Sequence, residues 1–103
     1  MEISKEDWGR VFEKARDITE ASESAEDLMY EVHREAMMTL LDELEAKYGQ
    51  RSKILATRAD YLEDRAKKLE LFQQALDLAK KCNDLDEIEE IMDSINHLDG
   101  FDD

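Results

Sequence analysis

The chain has 103 residues, 28 acidic against 14 basic, for a net charge of −14. Such a field repels nucleic acid, because binding phosphate needs Lys and Arg to displace counterions, and it matches a basic protein partner instead. One cysteine, Cys82, excludes an internal disulfide framework and fits a reducing, cytoplasmic setting. No apolar run nears the roughly 20 residues needed to span a bilayer, so no membrane contact is expected.

There is no Pro and only three Gly, and apolar residues recur at helical spacing. The expected fold is therefore all-α, about five antiparallel helices in a bundle or short solenoid. The opening residues do not form a signal peptide, and Met1 reads as the natural start. Ser4 with Asp7 caps a first helix running to about Ala21. It carries Trp8, Val11, Phe12, Ala15 and Ile18 on one stripe, with Trp8 expected in the core. Ser22-Glu23-Ser24 is a polar break, and Ser24 with Asp27 opens a long second helix over residues 25–48. Its stripe is Leu28, Met29, Val32, Ala36, Met37, Leu40, Leu41 and Leu44, wide enough to meet neighbours on two sides, with Met38 off it. Gly49 ends that helix.

Ser52 is expected to cap a short third helix, Lys53 to about Leu62, carrying Ile54, Leu55, Ala59 and Leu62. A turn near Glu63-Asp64 leads into a fourth helix over residues 65–81, whose stripe is Leu69, Phe72, Leu76 and Ala79, with Ala75 beside it. In the turn Cys82-Asn83-Asp84, Asn stops one helix and Asp starts the next, with Cys82 expected to pack there as a small apolar group. The fifth helix runs from Leu85 to about Leu98 with Ile88, Ile91, Met92 and Ile95 on its stripe, and Gly100 breaks it. The whole reads as a single domain with a two-helix part (1–49), hairpins (50–98) and a frayed acidic tail (99–103).

Phe72, Ala75, Leu76 and Leu78, followed by Ala79-Lys80-Lys81 and the turn Asn83-Asp84, resemble the second helix of a tetratricopeptide repeat running into the next repeat. Leu55, Ala56, Ala59 and Tyr61 resemble the first helix of that repeat, so the likeness covers about residues 54–96. Tyr61 lies two residues nearer Phe72 than the family spacing, the turn Gly is missing, and Lys68 replaces the small residue at the helix crossing. The resemblance implies a stack of helical hairpins of degenerate type, and the family's peptide-binding residues do not carry over.

No catalytic motif is present. There is no HExxH, no Glu-x-x-His pair and no Gly-rich phosphate loop. Asp84-Leu85-Asp86 begins like a calcium loop, then sets Ile88 at the fifth position and Glu89 where the turn Gly belongs. Asp93 and His97, four apart, are too few ligands for a metal. His33 reads as a boundary residue of the second helix. Neither an enzyme nor a cofactor is expected.

The charges are segregated. Nine acids and no Lys or Arg lie between Asp84 and Asp103, and six acids with no base between Asp17 and Glu31. Between Lys47 and Lys68 there are seven bases and three acids. In size, charge and helical class the chain resembles the small acidic bacterial immunity proteins that neutralise toxin domains, often basic nucleases. The expected function is a non-enzymatic inhibitor of a basic protein. Its candidate contacts are Asp84, Asp86, Glu87, Glu89, Glu90 and Asp93, a second cluster Glu23, Glu26, Asp27 and Glu31, and Tyr30 and Tyr61 as aromatic anchors. The alternatives are a tetratricopeptide-like adaptor for a peptide and a helical domain self-associating weakly through Met29, Met37 and Met38.

Overall fold

A computed structural model describes residues 2–100, and the side chains of residues 2–98. Five helices follow in order: α1 (Lys5–Glu23), α2 (Asp27–Tyr48), α3 (Ser52–Asp60), α4 (Arg65–Lys81) and α5 (Leu85–Gly100). No strand occurs among the described residues, and the fold is all-α as expected. No described helix is long and apolar enough to cross a membrane. The chain divides into two units, Met1–Gly49 and Gln50–Asp103. The tail expected to fray, Phe101-Asp102-Asp103, lies outside the described residues.

The first unit is the antiparallel hairpin α1–α2. Ser4 pairs with Tyr48, Arg10 with Glu43 and Asp17 with His33, so the start of α1 meets the end of α2. Val11, Ile18 and Ala21 of α1 are buried with Met37, Leu40, Leu41, Leu44 and Tyr48 of α2. Ser4 caps α1 as expected, accepting the Asp7 N–H at 3.1 Å. The Asp7 carboxylate does not return to the cap. It is buried, and its Oδ2 accepts the Tyr48 hydroxyl at 2.5 Å and Lys47 Nζ at 2.8 Å from the far end of α2. The carboxylate therefore clamps the open end of the hairpin.

Several sequence expectations fail in this unit. Ser24 does not open α2; it is the C-cap of α1. Ala25 follows in the left-handed region at φ 57°, and Glu26 is an N-cap whose side chain makes no cap bond. Within its unit α2 has one neighbour, α1, so the first part of its wide stripe is left bare: Leu28, Met29 and Val32 are exposed. Trp8 is only half-buried and meets exposed Phe12 edge-on, with ring centroids 6.4 Å apart. Each helix of a two-helix hairpin can hide only the stripe that its partner covers.

The second unit packs α3, α4 and α5 around Leu55, Ala59, Phe72, Ala75, Ala79 and Ile91. Small Ala59, Ala75 and Ala79 let the helices approach, and Phe72 fills the space between them. Asp64 caps α4 by accepting the Lys67 N–H, and Asp84 caps α5 by accepting the Glu87 N–H, each at 3.2 Å. Arg65 donates to the Leu98 carbonyl, tying the start of α4 to the end of α5. Other details differ from expectation. Ser52 is the first residue of α3 rather than its cap, and α3 stops at Asp60 with Tyr61 as its C-cap. Helix α5 extends to Gly100, two residues past the expected Leu98. Cys82, the C-cap of α4, is exposed, and Met92 lies largely outside the Ile stripe.

Candidate functional site

Helix α5 separates its two faces cleanly. Ile91 is buried, with Ile88 and Ile95 half-covered against α4. Asp86, Glu89, Glu90 and Asp93 recur at intervals of three and four residues on the opposite face, all exposed. Glu87 does not belong to this ridge. It stands four residues before Ile91, shares its side of the helix and is buried. Desolvation raises its pKa, reinforced by Glu90 and Asp84, while Lys53 and the Ser52 hydroxyl of α3 oppose the rise. Glu87, expected beside the exposed acids, is instead buried facing Ser52 and Lys53 of α3. Asp84 has its Oδ1 engaged in the cap, although it is exposed.

The second cluster gathers at the turn between α1 and α2. Glu23, Glu26, Asp27 and Glu31 are all exposed. Tyr30 is half-buried; Tyr61 is also half-buried, in the other unit, so neither stands out as a fully presented anchor. Sequence reasoning missed that Leu28, Met29 and Val32 are also exposed beside these acids. The signal was legible: Leu28 lies nine residues before core Met37, about two and a half turns, which sets it on the opposite face.

In the first unit, lysine and arginine charges serve Asp7, Asp17 and Glu43, through Lys47, Lys14 and Arg10. Among the described residues, none of Asp86, Glu89, Glu90, Asp93, Glu23, Glu26, Asp27 and Glu31 has an ion-pair partner. Helix dipoles account for part of this. Asp27 and Asp86 lie in first turns, where negative charge is favoured by about 0.3–1 kcal/mol. Glu31, Glu89, Glu90 and Asp93 lie beyond that reach, and like charges three or four residues apart repel.

No group of three or more possible metal ligands occurs among the described residues. His97 turns its Nδ1 to the Asp93 carbonyl 3.2 Å away, within its own helix. Asp60, Lys68, Asp93 and His97 border a groove of about 390 Å³ floored by Phe72. Desolvation raises the Asp60 pKa and Lys68 opposes it. No family model, curated protein or solved structure gives a significant match to the chain.

Proposed function

We propose that the chain is a non-enzymatic binding protein, an inhibitor of immunity type whose acidic helical surfaces capture a basic protein such as a toxin nuclease. The observation that carries this reading is the set of exposed acids without ion-pair partners among the described residues: the α5 ridge Asp86, Glu89, Glu90 and Asp93, and the α1–α2 cluster. A nuclease must be basic where it holds phosphate, and a rigid acidic helix face complements that surface. Opposite fields also speed encounter, to about 10⁸–10⁹ M⁻¹s⁻¹ at low salt, which serves an inhibitor that must act before a lethal enzyme does. The setting that fits is a bacterial cytoplasm. The tetratricopeptide-like adaptor is the second reading, supported by the α4–α5 hairpin with its Asn83-Asp84 turn.

The test is capture by the tagged full chain from its own organism, with low-salt and high-salt washes and identification of what is retained. A single basic protein retained in one-to-one amount, whose own activity falls when the chain is added, is the expected result. Retention of short peptides with no protein partner would favour the adaptor, and retention of nothing would contradict both.

A further inference from the structure

We propose that the outer side of the first turns of α2 seats a basic amphipathic helix of the protein partner, an inference that rests on the binding reading above and assigns it a place. Leu28 is 78% exposed, Val32 48% and Met29 41%. Leu28 and Val32 are four residues apart and form one column on the helix surface. Core residues Met37, Leu41 and Leu44 fix which side of α2 faces α1, so Leu28 cannot turn under α1 without expelling them. Beside this apolar column runs a second one, Asp27, Glu31 and Glu35, also at intervals of four, all exposed and without ion-pair partners among the described residues.

An apolar column beside an acidic column specifies its complement. A helix carrying Leu or Ile in one column and Lys or Arg in the next can set its ridge against this one at the usual 8–10 Å spacing. The apolar contact supplies an anchor and the acids supply register and speed of encounter. A second copy of this chain fits poorly. A two-fold interface sets the same patch against itself and would crowd both acidic columns around one seam. A neutral helix would cover the apolar column and leave the acids unpaired.

The probe is a synthetic helical peptide of about 18 residues with adjacent Leu and Lys columns, with a control of the same composition shuffled so that the columns are lost. Each is titrated into the isotope-labelled full chain while amide shifts are followed. The expected result is shifts concentrated on residues 27–36, with the shuffled peptide bound about tenfold more weakly. The double variant Leu28→Ser with Val32→Ser should weaken binding about tenfold while lowering the melting temperature only slightly, since Leu28 is largely solvated and Val32 half so. Glu31→Gln with Glu35→Gln should flatten the salt dependence. Equal binding of both peptides with shifts on Asp86–Asp93 overturns the seat and leaves the basic-partner reading standing. Absence of shifts overturns the seat, and capture of the natural partner then decides the broader reading separately. A dimer of the free chain that the double serine variant dissociates would replace the partner helix with a second copy.

Discussion

The turns α1–α2 and α4–α5 have the same backbone and different chemistry. In each, the helix ends at a residue in the right-handed region, Ser24 or Cys82, and the next residue is left-handed, Ala25 at φ 57° or Asn83 at φ 55°. The N–H groups of Ala25 and Asn83 return to Ser22 and Lys80, and those of Glu26 and Asp84 return to Ala21 and Ala79. These are two Schellman closures. Asn tolerates the left-handed region and Asp caps the following helix; Ala and Glu do neither well. The contrast extends through the units. The second gathers Leu55, Phe72 and Ile91 into one core, caps α4 and α5 with Asp64 and Asp84, and exposes Leu85 and Met92, whereas the first leaves Phe12, Leu28, Met29 and Val32 in solvent. Local chemistry in the second unit favours stability. In the first it leaves a surface uncovered, which is what a binding face requires.

The largest test of this contrast is in the core. Phe72→Ala should cost about 3–5 kcal/mol and unfold the second unit, because Phe72 is 2% exposed at the centre of three helices. Equilibrium denaturation measures it. The hairpin clamp is the next test. Tyr48→Phe removes the hydroxyl that reaches Asp7 and should cost about 1 kcal/mol, read by amide exchange in the first unit with the second unchanged.

Acid should separate the units by sign. Hydrogen bonds from Lys47 and Tyr48 hold the Asp7 carboxyl far below its ordinary 3.8. Its contribution to the first unit is therefore full above that value and lost as pH falls below it. Glu87, raised above 4.5 by desolvation, costs the second unit stability at neutral pH, and the cost is relieved as pH falls toward 4.5. Amide exchange across this range should show the second unit gaining protection first and the first unit losing it later. A Glu87→Gln variant should reduce the gain to the part that Asp60, also raised by desolvation, contributes.

The smallest effects come from exchanging turn chemistry. Ala25→Gly should stabilise the hairpin by about 1 kcal/mol, and Asn83→Ala should destabilise the other turn by a similar amount. Glu26→Asp, which keeps the charge, should add about 1 kcal/mol by supplying the missing cap. Thermal melting reads all three.

The sequence disclosed the five helices because their stripes repeat at 3.6 residues, and α4 lies within the range expected for it. It misplaced the start of α2 because Ser24 and Asp27 look like a cap pair, while the backbone uses Ser24 to close α1. The ridge Asp86, Glu89, Glu90 and Asp93 was legible as the face opposite Ile91. Glu87 was not separated from it, since its burial depends on α3 arriving with Ser52 and Lys53, a contact between residues far apart in the chain. The exposure of Leu28 could be read from its place opposite Met37, whereas how much of a wide apolar stripe is buried depends on the number of neighbours.

The most direct measurement of the central claim is the association rate of the captured partner as salt is raised, for the native chain and for Glu89→Lys with Glu90→Lys. If the unpaired acids carry recognition, the native rate falls steeply with salt, and the reversed variant binds slowly with a flat salt dependence while melting at the native temperature. A native rate indifferent to salt, and unchanged by reversal, would contradict it and reduce the acidic faces to a solvated coat.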